Sequence, residues 1–135
     1  SNAFGEETVL DNAEPAMHSA CLATGADVAE YTAAPVYMDG RSKGAHEWVI
    51  EFRTAPTDMA AFTAALDDGL KAVNSDYEAK RFRDTTLTMP RITAVPAGTF
   101  EGWLRAHGKV GGQNKVPRLF NDRTYVDQLA HRPQH

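Results

Sequence analysis

The chain predicts an α+β fold in which a small mixed or antiparallel sheet of about three to four strands carries helices packed on it. Three observations predict it. Residues 47–53 alternate polar and apolar side chains with a period of two, residues 59–73 repeat apolar groups at helical spacing, and segments of the two kinds interleave along the chain. With 135 residues, 42% hydrophobic and 24% charged, one domain can bury a proper core, and disordered and fibrous classes are excluded. Ser1, Asn2 and Ala3 look like the scar of a removed purification tag, so residues 4–135 are read as a single domain excised from a longer protein.

Taken in order, Phe4 to Leu10 has no clear period and reads as a connector. Asp11 or Asn12 caps a first helix with Pro15 in its first turn; Ala13, Met17, Ala20, Cys21 and Thr24 share a face, and Gly25 ends it. From Asp27 to Met38, Val28, Tyr31, Thr32, Val36 and Tyr37 favour a strand, with Pro35 marking an edge or a bulge. Asp39 to Gly44 is a turn. Glu47 to Arg53 is a half-buried strand, Trp48, Ile50 and Phe52 pointing one way, Glu47, Val49, Glu51 and Arg53 the other. Pro56, Thr57 and Asp58 open the longest helix, whose stripe is Met59, Phe62, Leu66, Leu70 and Val73. Ser75 caps a further turn or two, Arg91 to Val95 form a third strand, and Phe100, Trp103, Leu104 and His107 mark a short helix closed by Gly108. Asn121 or Asp122 caps a last helix with Tyr125, Val126 and Leu129 inward.

Charge is distributed unevenly. Residues 1–79 hold 14 acids against 4 Lys plus Arg, and residues 80–135 hold 4 acids against 10, so a net −10 faces a net +6. Such polarity suits an anionic ligand or an acidic neighbour; equally, the two halves can attract each other within the fold. No stripe of Lys or Arg is interleaved with aromatics, so extended nucleic acid is not expected as a partner. The apolar runs are too short for a bilayer and no basic start precedes one, so neither a membrane span nor a secretory signal is expected. The single cysteine, Cys21, fits a reducing, cytoplasmic setting and reads as a small core residue. The five histidines are scattered and no ligand spacing is present, so no metal site is expected. Asp67 and Asp68, adjacent on a helix, read as a solvated face and not as a carboxylate pair.

The stretch from Gly108 to Leu119 is the poorest in apolar residues and the richest in groups suited to a phosphate. Gly111 and Gly112 let the main chain turn sharply near a ligand, Pro117 stiffens the segment, and Lys115 and Arg118 supply an ammonium and a guanidinium. This is not a P-loop, because no Ser or Thr follows Lys115 to hold magnesium. Read without further context, it is a surface loop with solvated charges. Tyr77 and Arg81, at i and i+4, read as ordinary helix support.

Blocks in order along most of the chain carry a resemblance. Asn74-Ser-Asp-Tyr-Glu-Ala-Lys-Arg81, then Pro90, Gly98-Thr99-Phe100, Trp103-Leu104 and Gly111-Gly-Gln-Asn-Lys-Val-Pro-Arg-Leu119, resemble the C-terminal part of the auxin-responsive promoter family. Phe4-Gly5-Glu6-Glu7, Asp11-Asn12 and Tyr31-Thr-Ala-Ala-Pro35 extend the likeness to bacterial members. That family comprises acyl acid amido synthetases, a branch of the luciferase-like adenylate-forming superfamily. The resemblance implies a C-terminal lid domain, inert alone, that closes over an N-terminal adenylation domain with no counterpart here. It implies ATP and Mg2+ in the intact enzyme, held mainly by that absent domain, and none in this fragment. A small carboxylic acid and an amine are the implied substrates, joined through an acyl-adenylate.

By the same resemblance, Lys115 is the implied catalytic cation. Gln113, Lys115, Pro117 and Arg118 match the family's C-terminal Gln-x-Lys-x-Pro-Arg setting, so Lys115, Arg118, Gln113, Gly111 and Gly112 are the implied nucleotide phosphate-binding set. Arg118, three positions along, can instead pin the loop to the body. Tyr77 and Arg81 lie in a family-like block and are candidates for a domain interface or acceptor contact. The alternatives from other classes are a stand-alone α+β module that binds a phosphate or carboxylate, and a protein interaction domain.

Overall fold

A computed structural model describes residues 10, 12–38, 43–84, 86–108 and 115–132. Its order is α1 (Glu14–Thr24), β1 (Asp27–Met38), β2 (Lys43–Thr54), α2 (Met59–Val73), α3 (Ser75–Arg81), β3 (Arg91–Val95), α4 (Thr99–His107) and α5 (Thr124–Leu129). The sheet is mixed and three-stranded, in the order β1-β2-β3: β2 pairs antiparallel with β1 and parallel with β3. A parallel neighbour requires a crossover connection, and α2 with α3 supplies it.

Local chemistry sets the element ends. Asn12 Oδ1 accepts the Glu14 amide at 3.0 Å ahead of α1, and Gly25 ends that helix in the left-handed region at φ 73°. Asp58 caps α2 by accepting the Ala61 amide. Asn74, one residue before the expected Ser75, caps α3 by accepting the Tyr77 amide at 2.9 Å. At α5 the carboxylate of Asp122 takes the Thr124 amide at 2.8 Å.

β2 departs from the expectation of a half-buried strand. It runs from Lys43 to Thr54, and Trp48, Val49 and Ile50 are all fully buried. The reason is that helices cover both faces of the sheet. On one face Tyr31, Ala33, Trp48 and Ile50 pack with Ala16, Met17 and Ala20 of α1 and Phe62, Leu66 and Leu70 of α2. On the other, Ala34 and Val49 pack with Phe100 of α4, Val126 and Leu129 of α5, and Val116. α1 and α2 lie so close that a Cβ at Gly69 would meet Ala16 Cα at 2.8 Å. The ends of the α2 stripe, Met59 and Val73, reach beyond the core and are exposed. Cys21 packs against the first cluster, its thiol pushed up by burial.

The second face buries carboxylates. Glu47 Oε1 accepts from Arg123 Nη2 and from Arg132 Nη1, each at 2.7 Å, and its other oxygen accepts from Thr93 and Arg132. Burial pushes this carboxyl up, and the hydrogen bonds from Arg132, Thr93 and Arg123 outweigh it and hold it down at about 2. Glu51 accepts the Phe100 amide in the first turn of α4 at 3.0 Å.

His46, on the α2 face of β2, is 8% exposed, and burial, aided by the Lys80 charge, lowers its pKa from 6.5 to about 4. Its neutral form is therefore the one the fold holds. The unfolded chain binds the proton first as pH falls, so stability present above pH 6.5 drains away between 6.5 and about 4. The loss expected is up to roughly 3 kcal/mol across that window. Urea unfolding at a series of pH values checks this: His46→Gln should flatten the curve between pH 6.5 and 4, and parallel curves for the two proteins would refute it.

Candidate functional site

The segment that follows the glycine-rich stretch is built onto the outer edge of β1. The Ala33 amide donates to Arg118 O at 2.8 Å and the Phe120 amide donates to Ala33 O at 3.0 Å, a parallel bridge between Ala33 and Leu119. Thr32 Oγ1 donates to Pro117 O at 2.6 Å, and Val116 is 3% exposed within the second core cluster. Pro35 suits this edge, because the strand there is not required to offer an N–H outward. Its carbonyl accepts Arg123 Nη1 at 2.9 Å.

Lys115 stands immediately before this anchored run. Its side chain is exposed, and it makes no ion pair or hydrogen bond with another described residue. An ammonium on a four-carbon stem thus projects from a main chain that is fixed one residue later. Gly111, Gly112 and Gln113, the remaining members of the expected phosphate-binding set, lie outside the described residues.

Arg118 is placed differently. Its Nη1 donates to Glu14 Oε2 at 2.6 Å, its Nη2 lies 3.6 Å from Glu30 Oε1, and its guanidinium carbon sits 4.5 Å from the centre of the Tyr31 ring. Tyr31 also donates its hydroxyl to Glu14, and burial together with that carboxylate pushes the phenol up to about 12. α1, β1 and the Lys115 segment are therefore joined through one guanidinium.

Tyr77 and Arg81 stand one turn apart on α3, close enough to interact. Both turn onto Asp67, which is 2% exposed and corrects the reading of Asp67 as part of a solvated face; Asp68 alone is exposed. Arg81 grips Asp67 with Nε and Nη2 at 2.8 Å each, Tyr77 donates its hydroxyl at 2.7 Å, and Lys71 approaches to 3.3 Å. Arg81 Nη1 also donates to Asp84 and to Leu87 O. Burial raises the Asp67 carboxyl, and the bonds from Arg81 and Tyr77 outweigh it, so it stays charged. The sequence signal for Asp67 was its position: it flanks Leu66 and Leu70 on the inward stripe of α2.

Part of the charge polarity along the chain is resolved within the fold. Arg81, Arg118, Arg123 and Arg132 of the basic part meet Asp67, Glu14, Glu30 and Glu47 of the acidic part. A further cluster joins the ends of the loop's flanks: Trp103 stacks on His107 at 4.3 Å and meets Tyr125 edge-on at 5.5 Å, and Phe120 meets Tyr125 at 4.8 Å. Trp103 and Tyr125 belong to separate helices, and no local pattern in the sequence joins them. Among the described residues no group of three or more His, Cys, Asp or Glu is arranged to hold a metal ion, and no helix is long and apolar enough to cross a membrane.

Fold and site together define a helix-covered α+β domain that presents an exposed ammonium beside the edge of its sheet. Residues 11–124 match the model of the GH3 family C-terminal domain, and the chain belongs to that family. Among solved structures it is similar to GH3.15 acyl acid amido synthetase at 18% identity and a TM-score of 0.68, over 98% of this chain and 25% of that one. A structure of AtGH3.15 acyl acid amido synthetase in complex with 2,4-DB is similar at 18% identity and a TM-score of 0.70, over 97% of this chain and 25% of that one. The chain thus spans about a quarter of the length of these synthetases. No curated protein matches it.

The Asp67 network is expected to be structural. Arg81→Ala removes the bidentate partner of a buried carboxylate, leaving it Tyr77 and Lys71, and should lower stability by about 3 kcal/mol, with Asp67→Ala similar and the double variant costing much less than the sum. Urea unfolding measures it, and a loss below about 0.5 kcal/mol, the range of ordinary surface changes, would overturn it.

Proposed function

We propose that this domain is the mobile C-terminal lid of an ATP-dependent acyl acid amido synthetase, and that Lys115 is the cation it delivers to the nucleotide. The observation that carries the reading is the exposed Lys115 ammonium at the head of an edge-anchored segment, in a chain that belongs to the GH3 family. The placement of a quarter-length C-terminal domain supports an N-terminal adenylation domain as its partner. In the first half-reaction a substrate carboxylate oxygen attacks the α-phosphorus of ATP and pyrophosphate leaves. In the second, an amine attacks the acyl carbon of the adenylate, loses a proton, and AMP leaves.

Negative charge grows on the phosphoryl oxygens as pyrophosphate departs, and a pre-positioned ammonium lowers that barrier most where water is excluded. Lys115 suits this role because no described carboxylate neutralises it, whereas Arg118, Arg123 and Arg132 are each engaged by acids. A lysine carried on a separate domain lets binding of the nucleotide, closure and reaction follow in order. The magnesium that accompanies ATP is assigned mainly to the partner domain, as the family likeness implies. Tyr77 and Arg81, committed to Asp67, serve the stability of the lid and not the acceptor.

Lys115→Ala in the intact enzyme is expected to lower acid-dependent ATP–pyrophosphate exchange by roughly two to three powers of ten. Unchanged exchange would remove Lys115 from the first half-reaction. Calorimetric titration of the isolated chain with ATP, AMP and a non-hydrolysable acyl-adenylate analogue should give negligible binding. Tight one-to-one binding would replace the lid by a self-contained module.

A further inference from the structure

We infer that Arg118 is a positioning residue that acts through Lys115, locking the lysine's segment against α1 and β1, and does not itself hold phosphate. The inference rests on the reading of Lys115 as the delivered cation. Three features of the geometry point to it. First, the guanidinium is already engaged on three sides, by Glu14 at 2.6 Å, by Glu30 at 3.6 Å and by the face of Tyr31 at 4.5 Å. Turning it toward a nucleotide would give up both ion pairs and the Tyr31 face together. Second, the same residue's carbonyl takes the Ala33 amide at 2.8 Å, so side chain and main chain fix one short run from opposite ends. Third, the run so fixed begins at Val116, one residue after Lys115, with Thr32 holding the Pro117 carbonyl at 2.6 Å.

The short edge pairing involves a single bridged residue pair, Ala33 with Leu119, and so has little intrinsic strength. Arg118 adds what the backbone lacks: a planar fork whose donors match carboxylate geometry and whose face stacks on an aromatic ring. Glu14 in turn is oriented by two donors, Tyr31 and Arg118. Loss of this clamp leaves the lysine's charge intact and lets its origin wander. A misplacement of about 1 Å is enough to cost roughly a hundredfold in a reaction that depends on orientation.

A double-mutant cycle in the intact enzyme, read by acid-dependent ATP–pyrophosphate exchange, tests this directly. Arg118→Ala is expected to lower kcat by roughly ten- to a hundredfold with KM for ATP nearly unchanged, and to cause no further loss in a Lys115→Ala background. Glu14→Gln gives an opposite-sign check: a positioning Arg118 loses its anchor and kcat falls, whereas a phosphate-binding Arg118 is released and exchange holds or rises. Hydrogen exchange at the Phe120 amide should quicken in Arg118→Ala while that of Val49 stays slow, which separates a loosened segment from a misfolded domain. An additive loss in the Lys115→Ala background, or a raised KM for ATP, would overturn the positioning role and leave the lysine's intact. Unchanged exchange in Lys115→Ala itself would instead overturn the lysine's role and this inference with it.

Discussion

Burial of β2 on both faces is the constraint on which the rest of this domain depends. A three-stranded sheet covered on one side would leave Glu47 and Glu51 in water, where they would be unremarkable. Covering the second side forces each to find a donor: Arg123, Arg132 and Thr93 for Glu47, and the first turn of α4 for Glu51. These bonds orient the C-terminal helices, since Arg123 precedes α5 and Arg132 follows it. Removing one partner from such a pair costs far more than the pair contributes over an apolar substitute, so the arrangement selects one docking geometry more than it adds stability.

Most of the architecture was legible in the sequence because its signals are local. The bounds of β1 and β3, the inner stripe of α2 and the glycine stops after α1 and α4 each follow from side-chain period and backbone freedom within a few residues. The misreadings are long-range. Asp67 reads locally as a solvated acid because its partner Arg81 stands 14 residues on and reaches it only once α3 has turned back. β2 reads as half buried because alternation of Glu and Val cannot reveal that arginines 76 and 85 residues later arrive to neutralise one of its carboxylates.

The candidate site was legible to a different depth. Residue chemistry marked Lys115 and Arg118 as a pair of cations in one loop, and the family likeness ranked the lysine first. Nothing in the spacing showed that the two would separate, one exposed and the other clasped by Glu14, Glu30 and Tyr31. That outcome belongs to tertiary structure, because Glu14 and Arg118 lie 104 residues apart. It also accounts for the charge asymmetry of the chain: basic groups of the late part are used as ties to the acidic early part, and the lysine is a cation left over.

The parallel bridge between Ala33 and Leu119 has a bearing on solubility as well. A twelve-residue outer strand with open amides invites a strand from a neighbouring molecule. Here Pro35 withholds one donor, and the run from Pro117 to Phe120 occupies the groups on Thr32 and Ala33. The polypeptide that carries the ammonium is thus also a guard on an adhesive border.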